Sequence, residues 1–292
     1  MPEVKIRKHR LDASRLPLVE GRRLISGLVL AEPAEPISRV EGAGVAVTAK
    51  SAKIFKQRWD DLQFVDCDFT EILFIGLRLR SVVFDNCIFN GAGFWMSQVS
   101  ETKFLSCSLV GTALGGVNIF PHRSTNTYTD VSFEGCDMRE ISCSSELYRR
   151  CQFNNCDLKN VDFGAARFID CRFVGSLDGV MFRSEQDCKM GERNTMNGSD
   201  FKEADVSHCR FLNIDVSTDW FGENEDIIFL RNGPADWLMW LSKLSNPTSG
   251  VVWYAKEQAR TAGTPCIVSR RSLTTDLAEH EVDLLQEIGK GN

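Results

Sequence analysis

The sequence predicts a mainly-β protein: a right-handed quadrilateral β-helix solenoid, with a mixed N-terminal flank and an α-helical C-terminal flank. Three observations carry that reading. Apolar residues recur every five positions through the middle of the chain. Phe is over-represented, with 19 Phe against 3 Tyr. Cysteines recur at intervals of four fives, as at Cys67, Cys87 and Cys107.

The five-residue column starts at Phe64 and runs through Phe69, Phe74, Leu79, Phe84, Phe89, Phe94, Val99, Phe104, Leu109, Leu114 and Ile119. Two residues earlier lies a second uncharged column: Leu62, Cys67, Ile72, Leu77, Val82, Cys87, Ala92, Ser97, Thr102, Cys107, Thr112 and Val117. A helix would repeat near 3.6 and a strand at 2. A period of five with two inward positions means one short strand and one corner per side. Flat apolar rings with no hydroxyl to satisfy suit such an interior.

A second block continues in a shifted register with Phe133, Met138, Cys143, Tyr148, Phe153, Leu158, Phe163, Phe168 and Phe173. Its small partners include Val131, Cys136, Cys151, Cys156, Val161, Ala166 and Cys171, and Glu146 breaks that column. A third block is Phe201, Val206, Phe211 and Val216, with Ala204, Cys209 and Ile214. The spacing of twenty places like residues on successive coils, about 4.8 Å apart, so six or seven coils make a rod of about 30 Å. The predicted structural core includes Phe64, Phe69, Phe84, Phe104, Phe153 and Phe173.

Five stretches repeat a short signature: Cys67-Asp68-Phe69, Cys136-Asp137-Met138, Cys156-Asp157-Leu158, Val161-Asp162-Phe163 and Ala204-Asp205-Val206. The pattern resembles the pentapeptide-repeat family, over about half of the chain. It departs from the family in preferring Cys, Val or Ile to Ala at the small position. The resemblance implies a β-helix and a role that is usually non-enzymatic. Some members of that family mimic DNA and bind type II topoisomerases.

The repeat divides the chain into an N-terminal mixed cap region at 1–59, the β-helix at 60–217 and a mostly helical region at 218–292. Loop insertions are expected near 120–130 and 178–198, where the period slips. The first is the polar, turn-rich stretch from Pro121 to Tyr128, and the second holds Arg183, Glu185, Lys189, Glu192 and Arg193. A tolerated insertion is the first reading of both, with function as the alternative, since loops on a rigid scaffold often carry it. A solenoid needs capping at both ends. In the N-terminal flank, strands are expected at Leu24–Leu30 and Val45–Thr48, with a loop at Pro33–Pro36. In the C-terminal flank, helices are expected from Pro234, over Gly250–Thr261 and from Asp276. The first carries Trp237, Trp240, Leu241 and Leu244 on one face; the second carries Val252, Trp253 and Lys256; the third carries Leu277, Leu284 and Ile288. Three Trp within this short span imply packing on the rod end, with a homodimer or partner surface as the alternative.

Charge is uneven along the chain. Residues 1–59 carry 12 Lys and Arg against 6 Asp and Glu, whereas 60–217 carry 15 against 23 and 218–292 carry 7 against 11. An acidic body argues against direct nucleic-acid binding through phosphates. The basic start, with Lys5, Arg7, Lys8 and Arg10, is read as a solvated flank, with nucleic acid or acidic lipid as the competing reading. No signal peptide and no membrane span are visible. The 11 cysteines fall at repeat positions, which suits packed thiols in a reducing, cytoplasmic compartment.

No catalytic chemistry is recognisable. His9, His122, His208 and His280 sit in no nucleophile or phosphate-loop motif, and the six-residue period of β-helical acyltransferases is absent. Inward thiols between rungs of Phe offer no tetrahedral metal site. No cofactor and no metal are expected.

The sharpest functional hint is an apolar set at outward positions: Leu73, Ile75, Trp95, Met96 and Ala113. The corresponding positions of the second block are mostly polar. Such a patch is either covered by a flank of the chain or binds a partner. The candidate partner-binding residues are Leu73, Ile75, Trp95 and Met96, with His122, Arg123 and Tyr128 from the first loop. The expected function is a non-enzymatic scaffold that presents a rigid β-helix surface to a protein partner. The alternative, which the resemblance implies, is a DNA-mimicking modulator of a type II topoisomerase such as gyrase.

Overall fold

The computed structural model describes residues 5–7, 10–12, 18–19, 22–26, 53–114, 126–139, 146–183, 196–212, 214, 216–245, 247–261, 266–275 and 277–290. The middle of the chain winds into a four-sided β-helix. Each side is a strand of about three residues whose central residue points inward and whose neighbours point outward. Arg78–Arg80 reads exposed, buried, exposed, and Leu62–Val65 alternates in the same way.

A chain that bends every five residues needs a special backbone conformation at the corner. Asp61, Asp66, Asn86, Asp130, Asn155, Asn160 and Asp170 all occupy the left-handed region, at φ between 50° and 59°. Asn and Asp tolerate that region better than most residues. Glu71, Ser81, Met96 and Arg150 adopt it too. The Asp of the repeat signature has its own reason. Asp68 Oδ1 accepts a hydrogen bond from the Thr70 N–H at 2.8 Å, and Asp162 and Asp205 do the same for Gly164 and Ser207, at 2.7 and 3.0 Å. The carboxylate therefore holds the turn that follows each inward apolar residue.

Stacked coils share register. One side runs Phe64, Phe84, Phe104, Tyr128, Tyr148 and Phe168 as successive parallel partners. Their rings stack at centroid distances of 5.0, 5.1, 5.1, 4.9 and 4.9 Å. The next side pairs Leu109 with Phe133, Phe153 and Phe173 in turn, and Phe173 stacks on Phe201 at 4.6 Å. Rings of adjoining sides meet edge to face, as Phe163 and Phe168 do at 5.2 Å and 89°. Offset stacking along the axis and edge contacts across it are the two arrangements that ring quadrupoles favour. Phe64, Phe69, Phe84, Phe104, Phe153 and Phe173 are all buried.

The small position has an equally physical basis. Cys87, Cys107, Cys151 and Cys156 each donate the thiol to a backbone carbonyl of the preceding coil: Phe64, Phe84, Tyr128 and Phe133, at 3.3 to 3.6 Å. Cysteine is thus a small apolar filler that also satisfies a corner carbonyl. The Cys107 hydrogen bond and burial push the Cys87 thiol up to about 12. Burial and the Cys171 neighbour raise Cys151 as well. At Cys87 and Cys151 the thiol is thereby favoured over the thiolate.

Tyr128, expected in a loop, is an inward core residue between Phe104 and Tyr148. The coil from Phe104 to Tyr128 is four residues longer than the one from Phe84 to Phe104, and the ladder resumes after the detour. A second detour separates Phe173 from its partner Phe201, but it is shorter than the loop expected at 178–198: Met181–Arg183 is a strand of the β-helix, paired with Asp162–Gly164 and Arg210–Leu212, and Phe182 is buried in the core. The loop residues at 115–125 and 184–195, including His122 and Arg123, lie outside the described residues.

The β-helix also starts earlier than Asp60. Lys53–Phe55 and Arg58–Asp60 pair with Leu73–Ile75 and Arg78–Arg80. Arg22–Ser26 pairs in parallel with Leu62–Val65, so part of the N-terminal flank extends the ladder. The expected strand at Leu24–Leu30 is found as Arg22–Ser26. The segments expected at Val45–Thr48 and Pro33–Pro36 lie outside the described residues.

At the other end, a 3-10 turn at Thr218–Trp220 brings Trp220 and Phe221 onto the last coil, with Phe221 stacked on Phe201 at 5.5 Å. A separate small core follows, built from a two-stranded antiparallel sheet, Ile227–Leu230 with Cys266–Ser269, and four helices. These are α1 (Pro234–Lys243), α2 (Ser249–Thr261), α3 (Arg270–Leu273) and α4 (Glu279–Lys290). Trp237 and Trp240 are buried edge to face at 5.7 Å, and Trp240 Nε1 donates to the Glu281 carbonyl at 2.8 Å. Three sequence expectations change here. Trp237 and Trp240 pack inside this small core rather than on the rod end. The buried side of α2 is Ala255 with Val251, Tyr254 and Ala259, whereas Trp253 is 67% exposed. Helix α4 starts at Glu279, and its Glu281 carboxylate accepts from the Ala278 N–H at 3.0 Å. That is the returning half of a capping box, two residues later than the expected one, whose Asp276 lies outside the described residues.

Candidate functional site

The apolar face expected around Trp95 is largely closed. Leu73 and Ile75 are each only 6% exposed. Outward residues on successive coils lie over one another, and Ile75 falls between Phe55 and Trp95 in register. Leu73 lies over Gly93, where a Cβ would come within 2.9 Å of Leu73 Cδ1. What remains open is a corner: Trp95, half-buried, and Met96, 63% exposed. Tyr128 belongs to the core and contributes nothing to a surface.

Several acids of the later coils are tied up. Arg150 grips Asp130 with two hydrogen bonds, at 2.6 and 2.7 Å, from exactly one coil further along, and holds that carboxyl below its ordinary range. Arg139 bridges Asp137 at 2.7 Å and Asp157 at 3.3 Å. Arg183 reaches Asp162 at 3.1 Å, Arg172 pairs with Glu203, and Arg271 of α3 holds Asp205 at 2.9 Å. These ion pairs break up the negative charge of the coils from Asp130 onward.

A second surface arises where the last coil meets the helical cap. Two adjoining cavities of about 350 and 460 Å³ share His208, Trp253, Tyr254 and Ser272. The first is also lined by Arg210 and Glu257, the second by Val251 and Leu273. Their size lies in the range of ordinary ligand and peptide sites, which favour junctions between structural units. His208 Nδ1 is 3.2 Å from Asp178 on the rod surface. Cys209 lies beside it, its thiol raised by burial and so held protonated. The cleft combines aromatic walls with scattered polar groups, an arrangement suited to binding. Sequence reasoning missed it because the coil at 207–212 and the helix at 249–261 meet only in the fold. The one signal in the sequence was the density of Trp.

Among the described residues, no three His, Cys, Asp or Glu side chains are grouped to hold a metal ion. No described helix is long and apolar enough to cross a membrane.

A scan of protein-family models finds no match. No curated protein matches the sequence. Solved structures with a similar course include the plasmid-mediated fluoroquinolone resistance protein QnrB1. Its full-length form is 14% identical, with 66% of this chain and 94% of that chain covered and a TM-score of 0.39. Another is HetL, a pentapeptide repeat protein involved in heterocyst differentiation regulation from the cyanobacterium Nostoc. It is 11% identical, with 68% and 84% covered and a TM-score of 0.27. Similarity at that level carries no weight for function.

Proposed function

We propose that this chain, a pentapeptide-repeat β-helix closed by a helical cap, is a non-enzymatic scaffold that binds a protein partner on its outer surface. The observation that carries the reading is Trp253. It stands 67% exposed at the mouth of the cleft, on a helix whose opposite side is buried. Large aromatic residues left in water beside a recess are the usual anchors of protein interfaces. The Trp95–Met96 corner is a second contact on the same reading. The interior is filled with stacked rings and buried thiols, so recognition falls to the outside. Buried free thiols fit a reducing compartment, and we place the protein in the cytoplasm.

The alternative of a gyrase-directed DNA mimic needs carboxylates arrayed without counter-charges. The Arg150–Asp130 and Arg139–Asp137–Asp157 contacts weigh against it.

The test is cross-linked capture from native lysate, with wild type compared against Trp253→Asp and Met96→Asp after circular dichroism has shown all three folded. A partner captured by wild type and lost with Trp253→Asp supports the cleft. Loss with Met96→Asp alone moves the contact to the rod corner. Topoisomerase subunits as the captured species would promote the DNA-mimic reading. Light scattering on the same samples reads whether the cap instead pairs with a second copy.

A further inference from the structure

The N-terminal strands bring arginines into register across the rod. Lys5–Arg7 pairs antiparallel with Arg10–Asp12, placing Arg7 opposite Arg10. Arg10 is the register partner of Arg58, and Arg58 of Arg78. Four arginines thus occupy consecutive register positions in one sheet, whose order runs from Lys5–Arg7 through Arg10–Asp12 and Arg58–Asp60 to Arg78–Arg80 and Gln98–Ser100. Arg58 and Arg78 are exposed, and Arg80, also exposed, adds a fifth charge two residues along. Asp60 offsets part of this through its 2.6 Å contact with Arg58, and Asp12 lies in register with Lys5. Among the described residues, neither Arg78 nor Arg80 has an ion-pair partner.

Like charges directly opposite on neighbouring strands are destabilising. A row of them maintained over four strands, on a molecule that is acidic elsewhere, calls for an external counter-charge. The row is about 14 Å long at strand spacing. Its step of about 4.8 Å is close to the axial distance between residues three or four apart on a helix, about 5 Å. A long polyanion would overrun the row onto the acidic body, where 23 Asp and Glu outnumber 15 Lys and Arg over residues 60–217. A short acidic helix would not. Guanidinium groups also match carboxylates in bidentate geometry, which Lys does not.

We propose that this arginine row is a docking strip for an acidic helical segment of a partner protein, with Asp or Glu at three- and four-residue spacing along one side. The proposal rests on the scaffold reading for the class of partner, but it uses a surface distinct from Trp253. The two are therefore tested separately.

The experiment measures binding of the full chain to a labelled helical peptide bearing Glu at such spacing, by fluorescence anisotropy at low salt. A Gln-substituted peptide and a short DNA duplex serve as comparators. The wild-type chain is expected to bind the Glu peptide, to lose it as salt is raised, and to ignore the Gln peptide. The double variant Arg78→Gln and Arg80→Gln is expected to bind about tenfold more weakly, as removal of two exposed charge contacts implies, with an unchanged urea midpoint. Equal binding by wild type and double variant, or no binding of the Glu peptide, overturns the proposal. Binding of the duplex in preference to the peptide also overturns it and assigns the row to nucleic acid. The Trp253→Asp chain should retain the peptide, which separates failure of this strip from failure of the cleft.

Discussion

Glu146 lies fully inside the rod, in the column Val82, Thr102, Asn126, Glu146 and Ala166. Its Oε1 accepts a long, 3.4 Å hydrogen bond from Asn126 Nδ2, while Oε2 has no partner among the described residues. Asn126 is committed elsewhere: its Oδ1 accepts from the Thr102 N–H at 2.8 Å, and its Nδ2 also reaches the Val99 carbonyl at 3.3 Å. Burial pushes the Glu146 carboxyl well above its ordinary value of 4.5. A raised folded value means that the fold binds a proton the unfolded chain has released. The stability linked to this group is complete below about pH 4.5 and is lost as pH rises towards the folded value. The loss is about 1.4 kcal/mol for each pH unit crossed while the two states differ by one proton. Glu146→Gln keeps the shape and removes the ionisation. Urea unfolding of both proteins at a series of pH values from acid to neutral, at constant salt, isolates the group, because every other titration cancels in the difference. The variant should gain on wild type with rising pH, at about 1.4 kcal/mol per unit. A lost or added hydrogen bond would shift the difference by a constant, so the slope alone decides. A difference that stays flat across the range would refute both the burial of the carboxyl and the linkage drawn from it.

Four further outcomes are expected. Phe84→Asp places a charge between Phe64 and Phe104, whose rings stand 5.0 and 5.1 Å from that of Phe84. It should cost more than about 4 kcal/mol and yield insoluble protein, and a soluble variant with a cooperative urea transition would contradict the inward assignment. Gly289→Ala introduces a methyl 2.4 Å from the Phe229 carbonyl oxygen. It should lower stability by about 1–3 kcal/mol, read as the shift in urea midpoint, and a neutral result would show that α4 can move away from the small sheet. Thiol alkylation followed by mass spectrometry should leave Cys67, Cys87, Cys107, Cys136, Cys151, Cys156 and Cys171 unmodified until urea unfolds the rod, since all seven are buried. Asn154→Ala, at an outward position with no side-chain role in the ladder, should change stability by less than about 0.5 kcal/mol, and a larger loss would reveal a contact at that position.

The five-residue period was enough to assign the inward Phe of the three blocks, because the constraint acts within one side and needs no knowledge of distant pairing, but it missed Phe182, which the slip after Phe173 placed in a loop and which stacks between Phe163 and Phe211. Tyr128 stands five residues before Phe133, in the same column, but the polar, turn-rich stretch that ends on it reads as a loop; the ladder from Phe104 to Tyr128 shows it facing inward. Leu73 and Ile75 were legible as outward but not as covered, since coverage depends on axial neighbours such as Gly93 and Trp95. In α2 the bulk of Trp253 suggested a buried side that the fold assigns to Ala255. The arginine row and the cleft could not be assembled from the sequence for one reason. Each is assembled from segments far apart in sequence, and no local pattern records which strands or helices become neighbours.

The closing turn at Thr218–Trp220, with Phe221 laid on Phe201, has a consequence for the solution behaviour of the chain. Every coil is a template for the next, with the same register and the same ring spacing, and nothing in the repeat itself says where to stop. Covering the final rung turns a structure that could propagate from chain to chain into one of finite length. Shortened proteins ending before Trp220 would present a bare aromatic rung with unsatisfied backbone at its rim, and their fate would be end-to-end growth into fibres.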